Sequence, residues 1–266
     1  MSSGMRAETT TVAIDGDYET EVDQLGEGSA VVLIHGTPLD RQCWDPVAER
    51  LATGHRVIAY DLRAHGSAAA SSVPSSYAPL VSDLSRLLQA LGVERAAIVG
   101  HSFGGQVAQW FAAQYPARTS ALGIVCSRSF PYPPFAAAAD EIEAHGIEVA
   151  EEAALQRWFT AEELERDGAG VRYTRACFEH TSPEVFAAAS RLVAEFDFRR
   201  VLPRIDVPVL SIAAERDPVA TPEALREASE LLPGGEFQLA TGAGHMLPVE
   251  DAEQLAGLLA PLPRVV

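Results

Sequence analysis

Short runs of Val, Ile, Leu and Ala, each closed by a turn residue and followed by a segment of helical period, recur along this 266-residue chain, and nothing else in it limits the fold as much. Runs at 30–34, 56–60, 96–99, 121–126, 208–213 and 236–239 read as strands, and 41–51, 77–91, 103–114, 222–232 and 252–259 read as helices. A strand that is apolar at nearly every position has no face to offer to water. Such strands predict a mostly parallel sheet covered by helices on both sides. Two more polar strands, 10–14 and 19–24, are predicted ahead of it. No repeat of solenoid length interrupts the alternation.

The pattern changes between 131 and 200, where Ala- and Glu-rich helical stretches follow Pro131, Pro133 and Pro134 and no buried strand appears. The expected organisation is a core built from 1–130 and 201–266 with a helical insertion at 131–200. The insertion leaves the sheet after the strand ending at Cys126, over the carboxyl ends of the strands, where open α/β sheets bind ligands. It therefore reads as a lid.

Composition removes several kinds of function. The net charge is −17, and all 20 basic residues are Arg. So acidic a surface repels phosphate backbones, which argues against nucleic acid as a partner. The lack of Lys excludes Schiff-base chemistry and a Walker-type phosphate loop. Cys43, Cys126 and Cys177 are odd in number and form no Cys-x-x-Cys pair, so neither a disulfide framework nor a zinc site is indicated. The polar stretch 1–11 lacks a signal-length apolar run, and no run of membrane-spanning length follows. The expectation is a cytoplasmic protein that acts on a small molecule without metal or organic cofactor and away from membranes, with monomer and homo-oligomer both open.

The chemistry centres on Gly100-His101-Ser102-Phe103-Gly104. Chance supplies a Gly-x-Ser-x-Gly run roughly 0.1 times in a chain this long, so context has to decide its meaning. Here a predicted strand precedes it and a predicted helix follows. That arrangement makes a nucleophile elbow, in which Ser occupies a strained turn and small neighbours let the backbone bend. Gly100, Gly104 and Gly105 meet the need. Ser is a weak nucleophile at neutral pH and requires a base, itself oriented by a third group. His245, in Gly242-Ala243-Gly244-His245 between the last strand and the last helix, is the candidate base. Asp217 follows the strand 208–213, lies in the order Ser, acid, His, and precedes Pro218, which shapes its turn. Glu215 competes two residues earlier, while the end of the preceding strand offers only Cys126, Ser127 and Arg128. Asp217 is the expected orienting acid. The backbone N–H groups of Phe103 and Thr37 are the expected oxyanion donors.

With these motifs the chain resembles the α/β-hydrolase superfamily over nearly its whole length. The resemblance rests on His35-Gly36-Thr37-Pro38, Asp61-Leu62-Arg63-Ala64-His65-Gly66, the Ser102 elbow, Asp217-Pro218 and Gly244-His245. It implies an eight-stranded, mostly parallel sheet flanked by helices, with a helical lid inserted after the sixth strand. Ala64 departs from the Gly usual in that turn. Leu155 to Thr160, Phe196-Asp197-Phe198 and Ile205 to Pro208 look like 3-oxoadipate enol-lactonases, whereas the His-Gly-Thr-Pro-Leu start looks like arylesterases and cofactor-free haloperoxidases. Ser rather than Asp at 102 argues against the epoxide-hydrolase and haloalkane-dehalogenase branches.

The expected activity is cleavage of a carboxylic ester or lactone through an acyl-enzyme. Perhydrolase or C–C bond hydrolysis on the same residues, and a small-molecule receptor on the same fold, are the alternatives. Phe130, Phe135, Trp158 and Phe159 are candidate pocket walls, and Arg128 and Arg157 are candidate receivers of a substrate carboxylate. An acidic surface does not steer anions, so a carboxylated substrate would need such a local Arg.

Overall fold

The computed structural model describes residues 7–262. Among them eight strands form one sheet: β1 (Glu8–Asp15), β2 (Tyr18–Leu25), β3 (Ser29–Ile34), β4 (His55–Tyr60), β5 (Ala96–His101), β6 (Thr119–Val125), β7 (Val209–Ala214) and β8 (Gly235–Ala240). Their lateral order is β1-β2-β4-β3-β5-β6-β7-β8. β1 and β2 pair antiparallel and β2 joins β4 antiparallel, while every pairing from β4 to β8 is parallel.

Every residue of β5, β6 and β7 is buried, as strands covered on both faces require. β1 alternates between exposed and half-covered positions, which is how an edge strand with one wet face reads. Outside the insertion the helices are α1 (Asp45–Leu51), α2 (Tyr77–Ala90) and α3 (Phe103–Gln114) before it, and α9 (Pro222–Glu230), α10 (Leu247–Glu250) and α11 (Ala252–Leu259) after it. The single helix expected at 41–51 is two pieces, a 3₁₀ turn over Arg41–Trp44 and then α1. Pro46 accounts for the break, because it lacks an N–H and fits only the first turn of an α-helix. The short α10 was not expected.

β3 lies between β4 and β5, so the chain order reverses at β3. The carboxyl ends of β3 and β5 therefore flank the crevice in which open α/β sheets place ligands. His35 to Thr37 and Ser102 stand at those two ends. Between β6 and β7 the chain forms α4 (Pro134–His145), α5 (Glu148–Trp158), α6 (Ala161–Glu165), α7 (Ala169–His180) and α8 (Pro183–Glu195). These helices are tied to loops at the same edge of the sheet. The Tyr173 hydroxyl on α7 donates to Asp40 Oδ1 at 2.7 Å, and Met246 N–H donates to the carbonyl of Trp158, the last residue of α5, at 3.3 Å.

The loop after β4 is organised around Asp61. Its carboxylate accepts from the Arg41 N–H (2.7 Å), from Arg41 Nη1 (2.8 Å) and from both the N–H and the hydroxyl of Ser67 (2.8 and 2.6 Å). Arg41 also pairs with Asp23 and Glu21. Burial works against the charge on Asp61, but His35 and these donors outweigh it and hold the carboxyl below its usual range. A Cβ on Gly66 would lie 2.5 Å from Asp61 Cγ, so only glycine closes this turn. Ala64 keeps the same turn at φ 65° and is buried.

Ala64→Gly would relieve left-handed strain of about 1–2 kcal/mol. It would also lose a buried methyl, about 0.8 kcal/mol, and loosen the unfolded chain by about 0.5–1 kcal/mol. Urea unfolding is expected to place Ala64→Gly within about 1 kcal/mol of the parent, and Ala64→Val more than about 2 kcal/mol below it, because a β-branched side chain adds overpacking to the strain.

Candidate active site

Ser102 sits between β5 and α3 with φ 50° and ψ −119°, outside the regions an ordinary residue prefers. The surroundings leave the backbone no other course. A Cβ on Gly100 would come within 2.2 Å of the Gly104 carbonyl oxygen, and one on Gly104 within 2.3 Å of the His35 oxygen. The Ser102 N–H donates to Val125 O at 3.0 Å, and its carbonyl accepts from the Ser127 hydroxyl at 2.6 Å, so the end of β6 grips the elbow on both sides. Ser127 has room because Gly105 has no side chain; a Cβ there would stand 2.4 Å from Ser127 Cβ.

His245 lies in the loop between β8 and α10. Its Nδ1 is 2.7 Å from Asp217 Oδ2 and its Nε2 is 3.0 Å from Ser102 Oγ. A carboxylate can only accept, so Nδ1 carries the proton and Nε2 is left to accept from the serine hydroxyl. The other oxygen of Asp217 accepts from the N–H groups of Val219 (2.7 Å) and Ala220 (3.0 Å) in the turn Pro218 begins. The side chains of His245 and Asp217 are 3% and 0% exposed, so this line of hydrogen bonds is shielded from competing water. Glu215, the competing acid, accepts instead from Gly242 N–H at 2.7 Å.

Three further histidines surround the site, and burial disfavours the charged form of each. His35 Nε2 accepts from Leu62 N–H at 2.9 Å, leaving Nδ1–H to donate to Gly36 O at 2.8 Å. His65 Nδ1–H faces Arg63 O at 3.0 Å, and its Nε2 faces the Thr37 hydroxyl at 3.1 Å. Burial, with the neighbouring His35, pushes the pKa of His65 down to about 4. His101 Nε2 donates to the His245 carbonyl at 2.9 Å; burial and His245 push it down to about 3. Neutral rings let a hydrogen-bond frame surround Ser102 without adding positive charge.

The expected oxyanion donors stand on the two backbone segments that meet here. Phe103 is the first residue of α3, where an N–H has no partner inside the helix and the helix dipole is positive. Thr37 follows Gly36, at which a Cβ would lie 3.0 Å from Ser102 Cβ.

Of the six residues expected to line a pocket, Phe135, Arg157 and Trp158 line one cavity and the other three lie elsewhere. Trp158 is brought to the site, its ring 6.1 Å from that of His245 and 5.8 Å from Phe178, on which it stacks. Arg128, half-buried, donates to Val219 O at 2.6 Å, lies over the Tyr132 ring at 4.8 Å, and has no ion-pair partner among the described residues. Phe130 is buried beneath Arg199, Phe135 packs on Tyr132, and Phe159 is buried where α5 ends. Arg157 does not join Ser102. It lines a cavity of about 180 Å³ between α4, α5 and α8, with Phe135, Trp158 and Phe186. Ser127, His101 and Glu250 belong to the site's framework and escaped the sequence reading; only the need for Gly105 hinted at Ser127.

A Ser–His–Asp line of hydrogen bonds on a strand–turn–helix elbow, at the switch point of a mostly parallel sheet, is the arrangement of an α/β hydrolase. Residues 31–258 match the alpha/beta hydrolase family, and the chain belongs to it. It is 26% identical to 3-oxoadipate enol-lactonase 1 of Acinetobacter baylyi over 263 residues, covering 98% of this chain and 92% of the relative. It is 31% identical to a pimeloyl-[acyl-carrier protein] methyl ester esterase of Chromobacterium violaceum over 242 residues, 86% and 93% of the two chains. The crystal structure of the enol-lactonase from Burkholderia xenovorans superposes with a TM-score of 0.88 at 27% identity, covering 94% of this chain and 98% of that one.

The frame of neutral histidines predicts a pH dependence of stability. His65 titrates near 6.5 when free and near 4 in the fold, so the unfolded chain binds the proton first and stability is lost as pH falls from 6.5 toward 4. His65→Gln removes this contribution. Its urea midpoint is expected to fall less steeply than the wild type's over that interval, with equal slopes as the opposing result.

Proposed function

We propose that this protein cleaves a carboxylic ester or lactone by acyl transfer through Ser102, His245 and Asp217. The observation that carries the proposal is the line of hydrogen bonds from Ser102 Oγ to His245 (3.0 Å) and from His245 to Asp217 (2.7 Å), with the serine at φ 50°. The names of the relatives, enol-lactonase and methyl ester esterase, support the reaction class.

In this mechanism Ser102 Oγ attacks the carbonyl carbon as its proton passes to His245 Nε2. Asp217 keeps His245 in the tautomer that can accept that proton and stabilises the imidazolium that results. The amides of Phe103 and Thr37 hold the oxyanion. Collapse breaks the C–O bond, and the imidazolium gives its proton to the leaving alkoxide, which stays tethered to the acyl group when the substrate is a lactone. Water then attacks the acyl-enzyme with His245 as base, releasing the acid and restoring Ser102. The five helices between β6 and β7 act as a lid that covers this chemistry, and Trp158 forms its wall beside His245.

The preferred substrates in this reading carry a carboxylate. Arg128 supports it, since its guanidinium reaches the Asp217 turn and is satisfied only by carbonyl oxygens and the Tyr132 ring. Burial lowers the pKa of this group, an unfavourable setting for a cation that a bound carboxylate would offset.

Two measurements test the proposal. Ser102→Ala is expected to lower kcat on p-nitrophenyl esters and lactones by on the order of 10⁴–10⁶, and Asp217→Asn by about 10⁴, with an organophosphonate labelling wild type but not Ser102→Ala. Equal activity of wild type and Ser102→Ala on both panels would sink the hydrolase reading. Arg128→Gln is expected to raise KM for carboxylated esters by about ten- to a hundredfold, the worth of one hydrogen bond to a charged group, and to leave neutral esters unchanged.

A further inference from the structure

The ring of His245 is fixed by Ser102 and Asp217, but its backbone is fixed separately. Three polar groups in succession are held by three different elements. The Gly244 N–H donates to Glu250 Oε2 at 2.8 Å, the His245 carbonyl accepts from His101 Nε2 at 2.9 Å, and the Met246 N–H donates to Trp158 O at 3.3 Å. The second oxygen of Glu250 faces the Thr160 N–H at 3.4 Å. Thr160 caps α6 by accepting from Glu163 N–H at 3.3 Å, so it marks the junction between α5 and α6. Space is as tight as the bonding. A Cβ on Gly244 would lie 2.7 Å from Trp158 O and 2.9 Å from Glu250 Oε2.

Glu250 is therefore a half-buried carboxylate with one oxygen on the histidine loop and the other on the insertion. It has no ion-pair partner among the described residues, and Glu163 nearby adds a like charge. Burial raises its pKa, and the N–H groups of Gly244 and Thr160 oppose that rise. An unpaired acid here costs stability unless what it accepts repays it. The ring chemistry has no use for it, since Asp217 already occupies His245 Nδ1.

We propose that Glu250 is a positioning residue: by accepting from Gly244 and Thr160 at once, it locks the loop of His245 to the α5–α6 junction and so sets the reach of Nε2 to Ser102. The proposal rests on the reading of His245 as the base. It makes the insertion part of the machinery that aligns the base, since displacement of the α5–α6 junction pulls on the peptide beside His245. A misplacement of about 1 Å at such a group costs as much as a hundredfold in rate.

The test compares Glu250→Ala, Glu250→Gln and Ser102→Ala in the full-length protein, with melting temperature as a control on folding. Glu250→Ala is expected to lower kcat on p-nitrophenyl esters about ten- to a hundredfold with KM within about twofold, because Glu250 touches no substrate. Glu250→Gln keeps an oxygen for Gly244 but turns an NH2 toward the Thr160 N–H, so it breaks the tie to the α5–α6 junction and is expected to recover only part of kcat, between Glu250→Ala and wild type. The downfield proton resonance of His245 Nδ1–H is expected to shift or broaden in Glu250→Ala and to lie nearer its wild-type position in Glu250→Gln. Wild-type kcat and an unmoved resonance in Glu250→Ala would overturn the proposal, as would a loss of activity matched by the loss of folded protein. If Ser102→Ala kept full activity the hydrolase reading would fail instead, and the resonance alone would then decide the role of Glu250.

Discussion

The close approach of α3 to the ends of β3 and β5 governs the rest of the sheet's carboxyl edge. At Gly104 the helix backbone comes so near the His35 and Ile34 carbonyls that a Cβ would stand 2.3 and 2.4 Å from their oxygens. With that contact in place, the residue joining β5 to α3 has no relaxed conformation available, and Ser102 takes φ 50°. Strain of this kind costs on the order of 1–3 kcal/mol and lasts only where the surroundings over-determine it. Here they do, because β5 is buried along its length and pairs with β3 on one side and β6 on the other. The same contact brings the β3 loop beside Ser102. One packing decision thus delivers both the serine and the backbone against which an oxyanion would form.

Polar groups behind the elbow extend this order outward. Arg41 and Ser67 converge on Asp61, which fixes the loop after β4, and that loop returns two contacts to the site. Leu62 N–H sets the tautomer of His35, and the carbonyl of Arg63 sets that of His65, which in turn meets Thr37. A buried ion pair is weak evidence for stability in itself, since desolvation cancels much of its Coulomb energy. Its value here is geometric: it holds a loop whose backbone orients two neutral histidines. Those histidines can remain inside only as uncharged rings, each with one donor and one acceptor to satisfy.

The parts of the site that lie along the chain were legible in the sequence. Ser102 announces itself through glycines at fixed offsets between a strand and a helix, and Asp217 and His245 through the turns after the strands that carry them. The largely apolar runs at β5, β6 and β7 likewise declared a sheet covered on both faces. What could not be read depends on which loops meet. Glu250 is five residues from His245 on a helix of four residues, yet its meaning comes from Thr160, ninety positions away in the insertion. Ser127 and His101 carry no pattern either, for their partners are backbone atoms, which have no sequence signature. Arg157 illustrates the same limit: its type suited a ligand site, but that it lines a cavity among the helices of the insertion, together with Phe135 and Trp158, depends on how those helices pack. Pro46 carries the signal of a helix start, which the longer helical period of 41–51 masks.

Charge sets the remaining constraint on what Ser102 can meet. A net charge of −17 raises a field that opposes an approaching anion, but at physiological salt that field is screened over about 8 Å. Within that distance the nearest groups decide. Asp217 is spent on His245 and two backbone donors, and Glu250 on the Gly244 and Thr160 N–H groups, so both carboxylates at the histidine loop are already committed to donors of the protein. Arg128, pinned to the Asp217 turn, has no carboxylate partner among the described residues and is a cation left open at this edge. A neutral ester is indifferent to both fields. A carboxylated ester or lactone would lose at long range and gain at contact, so under the proposed function its selection falls to a local group, where a charge out of water counts for most.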